Sequence, residues 1–242
     1  MTNRFRSLMT RWLAAAPPRL QCRIHTWRSR GKVAIGRRAF IHPSTQILGR
    51  AQVAVGSNSV VSQDCWLNVN HRDRPGRAIE IGANCFIGRR NVFSSGAGIT
   101  LGDYVLTAND CHFLGSTHDV SDPMRPVLTT GTSASDLIVV GDNSFLGAGV
   151  RVIGNVRIGH GCVIGAGSLV TRDIPPFSQA HGSPATVQRR YSLARQCWVP
   201  LAEFTTEDAA RLPGQEHYAR QLAQAGAIRM PYMAAGNDMG NL

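Results

Sequence analysis

A six-residue period runs through this chain from about Val33 onward, and it constrains the fold more than any other feature. An aliphatic residue opens each hexad, and a small residue, mostly Ser, Cys or Val, stands four places later. The period is clearest in five consecutive hexads, which begin at Val140, Leu146, Val152, Ile158 and Ile164. A regular repeat of this length indicates one structural unit stacked many times.

Neither a helical period of 3.6 residues nor simple alternation explains this pattern, because two inward positions and a turn must fit into every six residues. A chain of short strands joined by tight corners does explain it. Aliphatic side chains would fill the interior of the coil, and glycine or small polar residues would serve corners that need backbone freedom. The 25 glycines and the charged fraction of 17% suit such a compact fold.

Four cysteines occupy the small fifth place of a hexad, namely Cys65, Cys85, Cys111 and Cys162. The same place elsewhere holds serine or valine, so we expect these thiols to be buried small side chains and not metal ligands. No CxxC pair occurs among the six cysteines, and a disulfide framework is not expected in a chain of this length.

The repeat resembles that of the hexapeptide-repeat acyltransferases over roughly residues 33–190. The resemblance implies an all-β core folded as a left-handed parallel β-helix with three hexads per coil. It also implies assembly as a homotrimer with the cofactor site between adjacent coils. The repeat is specific for the fold, but zinc-dependent lyases and scaffold domains share the same coil, so it does not establish catalysis.

The period divides the chain into three parts, with a basic N-terminal segment at 1–32, the coil at 33–176 and a partly helical extension at 177–242. Two polar stretches interrupt the coil, near 70–78 and 119–136, and we expect both to be projecting loops. Prolines and glycines in the extension favour three short helices, near 191–199, 207–212 and 216–225.

The N-terminal segment carries the charge imbalance of the chain, since no Asp or Glu precedes Asp64. Apolar residues recur there at helical spacing, namely Phe5, Leu8, Met9, Trp12 and Leu13. This stripe predicts either peripheral contact with an anionic membrane or a cap on the first coil. The apolar run is too short to span a bilayer and lacks the form of a cleaved signal, so we expect a cytoplasmic protein, at most peripheral to the inner membrane face.

His118 is the main catalytic candidate. It stands at the root of the second loop, in the sequence Gly115-Ser-Thr-His118-Asp119, and the segment leading to it resembles that before the catalytic histidine of sugar O-acetyltransferases. The resemblance implies that His118 is the general base. An imidazole, with a reference pKa of about 6.5, can take the proton of an attacking hydroxyl at neutral pH and return it to the leaving thiolate.

Asn91 and Asp119 are candidates for the acceptor side of the site. The resemblance implies an acceptor-binding role for Asn91. Its place in the hexad favours instead an interior asparagine whose side chain forms hydrogen bonds with neighbouring coils. Asp119 could contact the acceptor or orient the imidazole, but its place in a polar stretch before a proline favours a turn-forming role. His42 and His160 fall at corners, where solvated side chains are expected.

Four stretches resemble the coenzyme A end of the family in order and spacing, at 147–149, 165–168, 171–176 and 182–185. The resemblance implies an acetyl-CoA site formed by Phe145, Ala148, Ala166, Thr171, Arg172 and Arg189. The two alanines would let the pantetheine arm lie against the coil, and the arginines would meet the phosphates. Thr186 departs from the pattern, because a basic residue is frequent at that place.

The sequence therefore favours an acetyl-CoA-dependent O-acetyltransferase acting on a sugar, a lipid-linked sugar or a surface-polysaccharide precursor, without a metal. A zinc-dependent lyase is one alternative, but it would need three histidines that converge at one interface. A non-catalytic scaffold is the other alternative. Nucleic-acid binding is not expected, because the basic segment lacks interleaved aromatic residues.

Overall fold

The structure is a computed structural model that describes residues 32–224 together with Ile228 and Met230. The apolar stripe from Phe5 to Leu13 lies outside the described residues, so the membrane and cap alternatives both stay predictions. No helix in the described ranges is long and apolar enough to span a membrane.

Short strands of two to four residues form a coil from Ala34 to Val170. The strands of the first three coils are β1 Ala34–Ile35, β2 Phe40–Ile41, β3 Gln46–Leu48, β4 Val53–Val55, β5 Val60–Val61, β6 Trp66–Val69, β7 Ile79–Ile81, β8 Phe86–Ile87 and β9 Val92–Ser95. Those of the next three are β10 Gly98–Leu101, β11 Leu106–Thr107, β12 His112–Leu114, β13 Leu137–Val140, β14 Phe145–Leu146, β15 Arg151–Ile153, β16 Val156–Ile158, β17 Val163–Ile164 and β18 Leu169–Val170.

Each strand pairs in parallel with the strand one coil later, so the coil has three flat faces. The first face has the order β1-β4-β7-β10-β13-β16, the second β2-β5-β8-β11-β14-β17, and the third β3-β6-β9-β12-β15-β18. The fold is a left-handed parallel β-helix, which confirms the predicted fold class.

The hexad explains how each turn of the coil is made. The first and fifth places point inward, and Leu146 and Val150 are fully buried. The fourth place turns the corner in the left-handed backbone region, with φ of 52° at Asn143 and 71° at Gly149. The second place must approach the next coil closely, since a Cβ on Gly141 would lie 2.4 Å from the backbone nitrogen of His160.

The interior is filled by stacked side chains from successive coils. Phe93 and Phe113 are fully buried register partners whose rings stack with centroids 4.7 Å apart. The four predicted interior cysteines are also buried, and each thiol contacts a carbonyl oxygen of the next coil, as between Cys65 and Gly88 at 3.1 Å. Burial raises the pKa of the Cys65 thiol to about 12. These cysteines are therefore structural, as predicted.

The extension departs from the helices predicted for it. Strand β19 (Ser178–Gly182) still pairs in parallel with β17, so the second face continues beyond residue 176. Strands β20 (Ala185–Ser192) and β21 (Cys197–Pro200) then form an antiparallel hairpin. The helix predicted at 191–199 is wrong, because Tyr191 pairs with Trp198 across this hairpin and their rings pack edge to face at 5.4 Å.

Two α-helices follow, α1 at Thr206–Arg211 and α2 at Gln215–Gln224, close to the other two predicted helices. Short 3₁₀ turns occur at Arg50–Gln52, Val127–Thr129 and Leu201–Glu203. Helix α2 packs on the corner between the first and second faces, where Asn143 Nδ2 donates to Tyr218 Oη at 2.5 Å.

His160 lies under this helical part of the extension. It is only 5% exposed, and its Nε2 lies 3.0 Å from the carbonyl oxygen of Pro213. The expectation of a solvated corner histidine is therefore wrong at this position. The hexad pattern placed His160 at a corner correctly, but the residues that cover its ring, Phe177, Pro213 and Tyr218, come from the extension.

Candidate active site

Two loops leave the coil at the same corner, between the third and first faces. The first loop spans 70–78 and joins β6 to β7, and the second spans 115–136 and joins β12 to β13. Because the coil stacks equivalent corners above one another, the two interruptions seen in the sequence become neighbours in space. The candidate active site is built around this pair of loops.

The first loop is bound to the base of the second. His71 Nε2 lies 2.9 Å from the carbonyl oxygen of Ser133, and Arg74 Nη1 donates to the carbonyl oxygen of Ala134 at 2.9 Å. Gln52, one coil earlier, donates from Nε2 to the carbonyl oxygen of Arg74 at 2.6 Å. The two loops are thus joined through backbone carbonyls that no sequence pattern reveals.

The second loop begins and ends as two extended segments that run antiparallel. Ser133 N donates to the Thr117 carbonyl oxygen at 2.7 Å, and Asp119 N donates to the Gly131 carbonyl oxygen at 3.0 Å. Between these bonds His118 and Thr132 form an antiparallel bridge. His118 therefore sits on a hydrogen-bonded ribbon, although its side chain is exposed.

The imidazole of His118 has a defined orientation. Its Nδ1 lies 3.4 Å from the carbonyl oxygen of Thr130, a long hydrogen bond. A carbonyl oxygen can only accept, so Nδ1 carries the proton in this contact. In the neutral ring the other nitrogen, Nε2, is then the one that can accept a proton. This arrangement is the one that a general base requires.

Asp119 does not orient the imidazole. Its carboxylate accepts a hydrogen bond from Ser121 N at 2.9 Å, and the contacts with Ser121 lower the pKa of the Asp119 carboxyl. Asp122 makes the same kind of turn with Met124 N at 3.0 Å. These carboxylates stabilise loop turns, and the carbonyl of Thr130 takes the orienting position that side-chain motifs could not predict.

Asn91 does not reach the acceptor side of the site. Its side chain is fully buried in the coil, where Nδ2 donates to the carbonyl oxygens of Gly88 at 2.7 Å and Ala108 at 2.9 Å. The hypothesis that Asn91 binds the acceptor is therefore wrong, because the fifth place of its hexad points into the lumen. Its amide instead joins two successive coils.

A smooth strip lies at the corner between the second and third faces. Ala148 and Ala166 are exposed there, one coil apart, and Gly167 N donates to the Ala148 carbonyl oxygen at 2.8 Å. A Cβ added to Gly167 would meet nothing within 4 Å. Phe145, which is 38% exposed, lies just before this corner on the second face. Open space above small residues fits a thin, extended ligand such as a pantetheine arm.

The predicted phosphate-binding residues fall in two places. Arg189 is exposed on β20, opposite Gln179, and so continues the second face beyond Phe145. Thr171 and Arg172 are also exposed, but they follow β18 and lie at the corner between the third and first faces. They therefore share the corner of His118, two coils further along.

The candidate residues thus form two groups at opposite edges of the third face. Phe145, Ala148 and Ala166 lie at one edge, and His118 lies at the other. The contacts found for the second loop are with the first loop and with the turn between β9 and β10, which all lie at its own corner. One chain does not bring the two groups together, so a site that used both would draw on a neighbouring copy.

In the described ranges no three His, Cys, Asp or Glu side chains cluster as metal ligands.

Comparison with known proteins places the repeats in a known class. Residues 138–172 match the family described as "Bacterial transferase hexapeptide (six repeats)", and residues 78–109 match "Hexapeptide repeat of succinyl-transferase". The chain is similar to a probable acetyltransferase of Mycobacterium tuberculosis, with 28% identity over 76% of this chain and 57% of that protein. It is also similar to galactoside O-acetyltransferase of Lactococcus lactis, with 37% identity over 46% of this chain and 62% of that protein.

The chain therefore spans less than two thirds of the length of these relatives. Among solved structures it is similar to a mutant form of AntD, an N-acyltransferase of Bacillus cereus, in complex with dTDP and coenzyme A. The TM-score is 0.61 at 15% identity, and the match covers 83% of this chain and 96% of that one. At this identity the match supports the fold alone.

Proposed function

We propose that this chain, a hexapeptide-repeat protein that resembles the acyltransferases of that fold, transfers an acetyl group from acetyl-CoA to a hydroxyl of a sugar or surface-polysaccharide precursor. The observation that carries the proposal is the His118 Nδ1 contact with the Thr130 carbonyl, which leaves Nε2 as the proton acceptor on an exposed loop. The coil provides the rigid support on which such a loop can act.

Acetyl-CoA supplies an acetyl group activated as a thioester. His118 Nε2 takes the proton of the acceptor hydroxyl as that oxygen forms its bond to the acetyl carbon. As the bond from the acetyl carbon to sulfur breaks, the imidazolium returns the proton to the sulfur. Thr130 holds the ring throughout, because its carbonyl keeps the Nδ1 proton in both protonation states.

The donor site in this proposal is the strip formed by Phe145, Ala148 and Ala166. An extended arm would lie along the coil axis, with its phosphates towards Arg189 or towards Arg172 of a neighbouring copy. Adjacent strands are about 4.8 Å apart, and Arg189 lies three strands beyond Phe145, or roughly 14 Å along the axis. The acetyl end would then point away from the extension.

Assembly as a homotrimer is part of the proposal. The outer side of the second face carries a column of apolar side chains in register, with Phe86, Leu106, Phe145 and Val163 on successive coils. Leu106 and Phe145 are 42% and 38% exposed. A continuous apolar column on a flat face favours association, and association would also bring His118 of one copy to the strip of the next.

The peripheral membrane contact expected from the N-terminal stripe is retained as a proposal. Its support is the basic character of the first 63 residues, which suits an acceptor held at an anionic surface.

The direct test is to incubate the purified full chain with acetyl-CoA labelled in the acetyl group and a panel of sugars that carry hydroxyl groups, amino groups or both. We expect a labelled ester, which mild base removes. A label that survives base would be an amide and would indicate transfer to nitrogen. Absence of a labelled product with every acceptor, together with absence of coenzyme A binding in calorimetry, would contradict the proposal.

A further inference from the structure

The first loop has a strong positive character that the proposed acetyl transfer does not use. Residues 70–78 contain Arg72, Arg74 and Arg77 against a single acid, Asp73. All three arginine residues are exposed. Three guanidinium groups within nine residues repel one another, and a bound anion would reduce this repulsion.

The arginines of this loop are held by neutral oxygens. Arg72 donates from Nε to the Val69 carbonyl oxygen at 2.9 Å and from Nη2 to Asn68 Oδ1 at 3.2 Å. Arg77 Nη1 donates to the Ala51 carbonyl oxygen at 2.7 Å. Each guanidinium has five N–H groups, so these contacts orient the side chains and leave donors for a ligand.

No carboxylate of the described residues forms an ion pair with Arg72, Arg74 or Arg77. The nearby acids of the second loop have partners within their own loop, since Asp119 accepts from Ser121 N and Asp136 accepts from Ser135 Oγ at 3.3 Å. Among the described residues, therefore, no ion pair compensates the positive charge of the first loop.

The basic loop is also physically joined to the ribbon that carries His118. Arg74 and His71 bind the backbone of Ala134 and Ser133. Ser133 in turn pairs with Thr117, the residue before His118. A ligand group bound by the first loop would thus sit beside the acceptor side of the candidate site, and not on the alanine strip at the other edge of the third face.

We propose that the first loop binds the phosphate of the acceptor, so that the acceptor is a sugar joined to a phosphate or diphosphate group. Arginine recognises phosphate oxygens through paired N–H donors, and the anchored side chains would lose little freedom on binding. This inference rests on the proposed acetyl transfer and narrows its acceptor class. The sugar phosphate could be free, attached to a nucleotide or attached to a lipid.

Binding is tested first, independently of turnover. Titration of the full chain with inorganic pyrophosphate and with UDP-N-acetylglucosamine in calorimetry should show binding that weakens at least about tenfold in Arg72→Gln/Arg77→Gln. Arg38→Gln is the matched control, because Arg38 is an exposed arginine at a different corner of the coil, between the first and second faces. No binding of either probe, or equal binding by wild type and the double variant, would overturn the inference.

Turnover then separates the two proposals. Each sugar is supplied free, as its 1-phosphate and as its nucleotide diphosphate, and kcat/KM is compared within each set. In the wild type we expect kcat/KM to be at least about tenfold higher for a phosphorylated form than for the free sugar. This ratio should fall towards one in the double variant and stay unchanged in Arg38→Gln. Equal rates on free and phosphorylated sugars would overturn the inference and leave acetyl transfer intact.

If the first loop binds the phosphate probes but no sugar is acetylated, the proposed acetyl transfer is contradicted. The phosphate-binding role of the loop would still be supported. If the double variant does not fold, Arg72→Lys/Arg77→Lys retains the charge and loses the paired donors, and it should show an intermediate preference. A loss of coenzyme A affinity in the variants as large as the loss for the phosphorylated acceptor would assign the loop to the donor and overturn the inference.

Discussion

His71 Nε2 lies 2.9 Å from the carbonyl oxygen of Ser133, and this contact joins two loops that are more than fifty residues apart in sequence. Ser133 also donates to the Thr117 carbonyl, next to His118. The position of the candidate base therefore depends on a loop that has left the coil two turns earlier. His71 is in this view a positioning residue that acts through the ribbon.

Replacement of His71 tests this role. Loss of a neutral hydrogen bond is worth about 0.5–1.5 kcal/mol, so His71→Ala should lower kcat by roughly 2- to 10-fold with little change in the KM for acetyl-CoA. Hydrogen exchange at the amides of Ser133 and Asp119 should become faster, which a purely local effect at His71 would not cause. Unchanged exchange at both amides would show that the first loop does not hold the ribbon.

Replacement of His118 tests the general base. His118→Ala should lower kcat by roughly 10²–10⁴, because the hydroxyl then keeps its proton during attack, while the Kd for coenzyme A stays nearly the same. His217→Ala is the control, since His217 is an exposed histidine on α2, away from this corner. Wild-type turnover in a folded His118→Ala protein would remove this residue from the mechanism.

A larger side chain on the alanine strip tests the donor site. Ala166→Leu should fill the space above the corner and raise the Kd for coenzyme A by at least about tenfold, which corresponds to about 1.4 kcal/mol. The fold should persist, because Ala166 is exposed. Ala210→Leu adds the same side chain at an exposed site in α1, and a similar loss of affinity there would argue against a specific donor strip.

A charge on the second face tests assembly. Leu106 is 42% exposed in the single chain and lies in the middle of the apolar column. Light scattering should give about three times the chain mass of 26.2 kDa for the wild type and a smaller species for Leu106→Glu. Leu201→Glu is the control, because Leu201 is exposed on the extension. An active wild-type monomer would be inconsistent with a shared site.

The extension should show acid sensitivity that depends on Asp208. Hydrogen bonds from Ser192, from Thr205 N at 3.1 Å and from Arg195 at 3.1 Å hold the pKa of this buried carboxyl well below its usual range. Because the folded pKa lies below the unfolded one, the stabilisation is present at neutral pH and is lost as the pH falls below about 4.

Asp208→Asn should therefore be less stable than the wild type at pH 7, and the difference should shrink as the pH falls below about 4. Thermal unfolding followed at Trp198, in the adjacent hairpin, reports on this part of the structure. Glu216→Gln, at an exposed site in α2, is the control. A constant difference between Asp208→Asn and wild type from pH 7 to pH 3 would show that the ionised carboxylate is not the stabilising form.

The interior of the coil could be predicted from the sequence because its rule is local. The hexad placed Cys65 and Cys111 in the lumen, and it also predicted an interior position for Asn91, which the resemblance to known acyltransferases obscured. The corner glycines followed from the same rule, since each repeat meets only the next one. In such a repeat, the position of a residue within its hexad is enough to predict whether its side chain points into the coil or lies at a corner.

The site and the extension depended on contacts that no short segment contains. The sequence determined that loops leave the coil near 70–78 and 119–136 and that His118 stands at the root of the second. Only the tertiary structure decided that His71 binds the carbonyl of Ser133, that Thr130 orients the His118 ring and that residues 191–199 complete a hairpin. Each of these contacts uses at least one backbone atom, which every residue possesses, so side-chain identity does not reveal which partner will be met.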